Sequence, residues 1–277
     1  RKLVTQQLWL YFLGQSLMLV FRAVVLREDF AESGGVLAAL LLPWRHMWYL
    51  YALIFWHLTL PLLCLLRDRL GLAGSCLGMS LAVAVGLAGG LIDWPFMLVR
   101  VFAFFPFYAF GVLFRPQLDT LAAFAAQNRA ARLLPAAGLA VGYGLYFIRV
   151  FCSETILDNS AELFHDVSYA GGDRPEYRIV FYLVGIATTA ALVAAFSSGR
   201  RLTGLGRRTL AIYLLHLPIL ALLVQLQLFE PLRGAPVALP VLWYTLLATA
   251  ALAVLNWQPV QTLFDFAASC WYKRGKS

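Results

Sequence analysis

The chain is predicted to be an all-α, polytopic transmembrane helix bundle of about eight spans, on three observations. Apolar blocks of about 20 residues, the length that crosses a hydrocarbon core, recur along all 277 residues. Hydrophobic residues make up 61% of the chain and charged residues 13%. That charged share is about half of a soluble domain's, so most of the surface must face acyl chains. Lysines and arginines collect on alternate sides of the blocks, as the cytoplasmic excess of positive charge requires. The net charge of +8 belongs to those loops, which leaves the lipid bilayer, and not nucleic acid, as the expected surroundings.

Breaks where charges, Gly and Pro cluster place the spans near residues 6–26, 47–66, 72–92, 95–114, 133–152, 177–197, 209–229 and 237–257. Of the 22 Lys and Arg, Arg27, Arg45, Arg174, Arg178 and Arg233 fall on one side and Arg22, Arg100 and Arg149 inside spans, with the remaining 14 on the other side. Both termini are therefore expected in the cytoplasm, and inserting or deleting one span would scramble that asymmetry. The chain reads as one domain over 1–277. Residues 27–46 and the acidic stretch 153–176 form the long outward loops, able to roof an outward cavity. Residues 258–277 read as an interfacial tail, with an apolar helix near 264–271 and a basic end. The opening Arg1-Lys2, with no Met or signal pattern, reads as a start in mid-protein. The four cysteines fall in no CxxC pair and no Cys/His cluster of metal-ligand spacing. No metal is expected.

Charges and imidazoles within the spans nominate site residues, because an intramembrane Arg costs at least about 2.5 kcal/mol unless paired or wet. Arg22 lies about one turn from its span's end, where a snorkelling side chain reaches the interface. Arg100 sits some five residues into a span opening at Pro95, ahead of the aromatic run that includes Phe105 and Tyr108, and is a candidate site cation. Arg149, just short of the acidic loop, suits a salt bridge to Glu154 or Asp158 as well as a substrate contact. His46 and His57 are 11 residues apart. On a continuous helix that spacing is about 1100° of rotation, leaving both within roughly 20° on one face and about 16 Å apart. They would line one channel, unless His46 marks the interface and His57 bonds a neighbouring helix. His216 follows Tyr213 and precedes Pro218, which frees the carbonyl of Leu214 from its helical bond. A nearby imidazole would then satisfy backbone or act on a substrate. Arg67, Arg69, Arg207 and Arg208 share the cytoplasmic side, as topology determinants or as a polyanion site of guanidinium groups.

Three blocks carry a resemblance. H-M-W-Y-L-Y-A-L at 46–53, closing on L-P-L-L at 60–63, is similar to a segment H-L-W-[FY]-L-x-A-L. Arg100 followed by P-F-Y-A-F-G at 106–111 is similar to a segment R…P-F-F-x-x-G, and L-G-R-R-T-L-A-I-Y-L-L-H at 205–216 to L-G-x-x-[ST]-x-x-[IL]-Y-L-x-H. In their order and spacing they resemble the bacterial acyltransferase-3 family of integral membrane O-acyltransferases, in the form of its fucose-acetylase-like branch. That family acylates the sugars of polysaccharides and glycoconjugates. The resemblance also implies about ten spans, an Arg and a His ten residues apart in a first helix that holds the catalytic histidine, and an R-x-x-R loop. The Arg/His pair does not occur in this sequence, and Arg1 reads as a remnant of the R-x-x-R loop, so two N-terminal spans and the catalytic histidine are expected to be missing from it.

The resemblance implies acyl transfer across a bacterial inner membrane, from acetyl-CoA or another acyl-CoA bound at Arg207, Arg208, Arg67 and Arg69 to a sugar hydroxyl arriving from outside. His216 or His57 would take the hydroxyl proton. Arg100 would stabilise the oxyanion. His46, Trp48, Phe105, Tyr108, Arg149 and Tyr213 would surround the sugar. Two rivals remain: a transporter or flippase for an anionic lipid or glycolipid, which intramembrane Arg and outward acids suit, and a noncatalytic membrane partner protein.

Overall fold

The computed structural model describes residues 2–31, 34–90, 97–152, 175–197, 209–228, 238–262 and 266. Among them every regular element is helical. In chain order these are α1 (Lys2–Phe21), a π turn (Arg22–Leu26), α2 (Gly35–Leu41), a 3-10 turn (Arg45–Met47), α3 (Trp48–Gly90), α4 (Leu98–Leu113), α5 (Arg115–Gln127), α6 (Arg129–Cys152), α7 (Pro175–Ala195), α8 (Thr209–Gln225) and α9 (Ala238–Leu255). Each of the eight predicted spans contains a helix. Among the described residues three segments are by length and composition able to cross a membrane, Val4–Leu26, Arg45–Gly89 and Arg178–Ala195. A fourth is added if the pair Leu98–Leu113 and Arg115–Gln127, bent by 66°, is a single span. Their outer faces carry exposed Leu58, Leu62, Leu81 and Leu183, side chains that only lipid or another apolar surface would cover.

The chain divides into two compact units, Arg1–Tyr51 with Arg200–Ser277, and Ala52–Gly199. In the first, α1 packs on α2, α8 packs on α9, and α1 and α8 both meet the 3-10 turn. The close approach depends on Gly14. A Cβ there would come within 2.6 Å of Met47 Cε and 3.0 Å of Leu214 Cδ2. Gln15, buried in α1, holds the segment leading to the 3-10 turn: its amide donates to the carbonyls of Ala39 and Leu42, and its Oε1 accepts from Trp44 N–H at 3.4 Å. Tyr11 donates to Leu41 O at 2.8 Å. Arg22 does not snorkel. It is buried, it forms a two-pronged pair with Glu28 at 2.7 and 2.5 Å, and its guanidinium lies over the rings of Phe30 and Trp44. That pairing holds the Glu28 carboxyl below its ordinary value.

In the second unit α3 breaks at Gly71, whose φ of 58° and ψ of −131° suit only glycine. The break falls at the boundary expected between the second and third spans. Ser75 Oγ donates to Gly71 O and to Leu113 O, both at 3.1 Å, and so ties the break to the end of α4. Leu63, Ala82, Ala109 and Leu113 form the buried centre. Helices α5 and α6 pack against α7. Residues 115–127, expected to be loop, form α5. Pro116 starts the helix, and Leu118, Leu121, Ala122 and Ala125 are its less exposed positions, the i, i+3, i+4, i+7 spacing of an amphipathic helix. Asn128 then caps α6, its Oδ1 accepting from the N–H groups of Ala130 and Ala131. Residues 153–174 of the loop expected to face outward, and all of the tail beyond 262 except Phe266, lie outside the described residues.

Candidate functional site

Pro218 lacks an N–H, so Leu214 O has no helical donor four residues on. The imidazole that answers it is not the neighbouring His216 but His46, 168 residues away in sequence, whose Nε2 lies 3.2 Å from Leu214 O. A carbonyl only accepts, so this contact fixes His46 with its proton on Nε2 and a lone pair on Nδ1. Nδ1 is buried and has no hydrogen-bond partner. The clasp closes from the other side: Tyr213 Oη donates to His46 O. His216 Nδ1 donates to Tyr213 O at 2.6 Å, which leaves the lone pair on Nε2 of an exposed residue. The His46 ring meets those of His216 and Tyr213 edge-on, with centroids 5.0 and 5.2 Å apart, and Tyr49 packs on Tyr213 at 5.5 Å. One carbonyl freed by a proline therefore holds His46, and Tyr213 and His216 join it through the carbonyls of His46 and Tyr213 within the first unit.

The second unit holds an aromatic group of its own. Trp56 donates Nε1–H to Val101 O at 2.8 Å, and Tyr108 stacks on Trp56 at 5.6 Å and meets His57 at 5.7 Å. His57 Nδ1 donates to Leu53 O of its own helix at 2.6 Å. Beside this group lies an apolar cleft of about 280 Å³, lined by both halves of α3 and by Val101, Phe102 and Phe105 of α4.

A family model described as an acyltransferase domain matches residues 6–255, a range that takes in both units and both groups. The chain belongs to the acyltransferase-3 family. It is an integral membrane acyltransferase. No curated protein and no solved structure matches it.

The acyltransferase brings His46, Tyr213 and His216 together, which joins the first and third of the motif blocks. His46 occupies the 3-10 turn, ahead of α3. The rotation count from His46 to His57 therefore fails at its first step, because a 3-10 turn advances about 120° per residue and not 100°. Arg100 is half-buried in the first turn of α4, its N–H donating to Met97 O at 3.0 Å. The helix opens at Leu98 and not at Pro95, so Arg100 stands nearer the helix end than expected. It lies in the second unit, whereas His46 and Trp48 lie in the first. Tyr108 is engaged by Trp56 and His57, Phe105 lines the cleft, and Trp48 meets Tyr49 at 6.1 Å. Arg67 donates to Asp68 Oδ1 at 2.8 Å and to Val112 O at 2.9 Å, while Arg69 is exposed. Arg207, Arg208 and the Arg149 side chain lie outside the described residues. Arg178, counted with the outward loops, is instead buried in the first turn of α7. Hydropathy missed it because one guanidinium at a span's edge reads the same whether it faces headgroups or protein.

Proposed function

We propose that the acyltransferase moves an acyl group, acetyl in the first instance, from cytoplasmic acyl-CoA to a hydroxyl of a sugar or glycoconjugate at the outer face of a bacterial inner membrane. The eight helical segments are read as its spans, with both termini cytoplasmic. The observation that carries this reading is the clasp of His46, Tyr213 and His216, which supports a histidine held in one tautomer. His216 is the general base: with Nδ1–H on Tyr213 O, its Nε2 accepts the acceptor's hydroxyl proton. The oxygen attacks the thioester carbonyl, the C–S bond breaks, and the CoA thiolate leaves and takes up a proton. His46 is a positioning residue that holds the opened turn of α8 through Leu214 O. Arg207 and Arg208 face the CoA phosphates, with Arg67 and Arg69 on the same side.

The test uses membranes from cells making the protein, supplied with labelled acetyl-CoA, and follows base-labile label in polysaccharide and glycolipid. His216→Ala should lower incorporation about 100-fold or more, as loss of a general base does. Arg207→Gln with Arg208→Gln should raise the donor KM about tenfold or more, since each charge-assisted hydrogen bond contributes about 1.5–3 kcal/mol. Incorporation no greater than in membranes lacking the protein, or unchanged in His216→Ala, would overturn the reading.

A further inference from the structure

We propose that Arg178 and Tyr182 form a buried receptor for an oxyanion, a phosphate ester or a carboxylate, at the Arg178 Nη2 and the Tyr182 hydroxyl. The site lies wholly within the second unit and does not rest on the acyl-transfer reading. Arg178 and Tyr182 are four residues apart on α7 and so share one helix face. Both are 2% exposed. Arg178 Nη1 donates to Gly86 O at 2.9 Å, which fixes the plane of the guanidinium. Its Nη2 and the Tyr182 hydroxyl are each buried without a hydrogen-bond partner. Both side chains converge on Gly86, where a Cβ would collide with the Tyr182 oxygen and come within 3.0 Å of Pro106 Cγ. Phe107 backs the Tyr182 ring, centroids 5.6 Å apart.

The chemistry selects the ligand. Nη2 and the hydroxyl are donors, and a guanidinium has no acceptor to offer. A water molecule would satisfy hydrogen bonds but leave the charge uncompensated. Among the described residues no carboxylate pairs with Arg178. A buried, unopposed guanidinium in a membrane-type helix marks a ligand of opposite charge, and the planar fork suits two oxygens of one group. Glycine at 86 lets the Tyr182 hydroxyl come up to the α3 backbone beside Arg178, where any side chain would push it away.

The experiment measures the melting temperature of the purified protein in neutral detergent, titrated at constant ionic strength with inorganic phosphate or acetate. Separate samples carry mixed micelles of phosphatidylglycerol or of digalactosyldiacylglycerol, which has no phosphate. A saturable rise is expected with phosphate, acetate or phosphatidylglycerol and none with the galactolipid. The half-saturating concentration should be about tenfold or more higher in Tyr182→Phe, as loss of one charge-assisted hydrogen bond implies. Arg178→Gln should abolish the rise. A response to phosphatidylglycerol alone identifies a lipid headgroup, and a response to phosphate or acetate identifies a free anion. If Arg178→Gln does not fold, Tyr182→Phe, which keeps its ring against Phe107, carries the test. A wild type that responds no more than to chloride, or a Tyr182→Phe variant that responds like wild type, would overturn the proposal.

Discussion

His46 is defined by its partners. Its Nε2–H satisfies a carbonyl that Pro218 has opened, and its own carbonyl takes the Tyr213 hydroxyl. Leaving a buried carbonyl unsatisfied costs about 1–3 kcal/mol, so Tyr213→Phe and His46→Ala should each lower stability by about that amount. Because both act on one clasp, the double variant should lose less than the two single losses together, measured by thermal melts in detergent. Additive losses would mean that the two contacts are independent. Glu28 gives a residue-scale prediction with a sign. Arg22 lowers its folded pKa beneath the ordinary 4.5, so the pair's stability is fully present above that value and is lost as pH falls through the lowered folded value. Melting temperature should drop on acidification across that window, and Glu28→Gln should flatten the drop. A wild-type profile already flat there would refute it.

At the scale of elements, the break in α3 rests on one glycine. The conformation of Gly71 is closed to side chains, and holding a residue in such a region costs on the order of 1–3 kcal/mol. Gly71→Ala should lower the melting point accordingly even though nothing lies within 4 Å of the added methyl. An unchanged melting point would show that the two halves of α3 can straighten or bend elsewhere. Helix α5 shows the complementary case. Its i, i+3, i+4, i+7 pattern was present in the sequence, but its low hydropathy beside Arg115 and Arg132 read as a cytoplasmic loop. Hydropathy detects helices that lipid surrounds. It passes over an amphipathic helix that packs on protein.

For the whole molecule, charge segregation predicts sidedness. Single cysteines introduced at Ser160 and Ser198 in intact cells should differ, with Ser160 reacting with an impermeant thiol reagent and Ser198 protected. The reverse pattern would invert the topology. Arg178 weakens the outward count by one, since it is buried, but it is the smaller count that shrinks and the asymmetry grows.

The sequence alone determined the helical membrane character, a helix within each expected span, and the family. Each of these is a property of runs and motifs, fixed by how many apolar residues follow one another and which letters interrupt them. It also exposed the free carbonyl at Leu214, because a proline removes its own N–H wherever it sits. Only the tertiary structure decided which imidazole reaches that carbonyl, that His46 sits in a 3-10 turn, and that Arg22 and Arg178 are buried. The contacts of His46 and Arg178 join residues 168 and 92 positions apart. A hydropathy profile averages over neighbours in the chain, so it carries no information about such pairs.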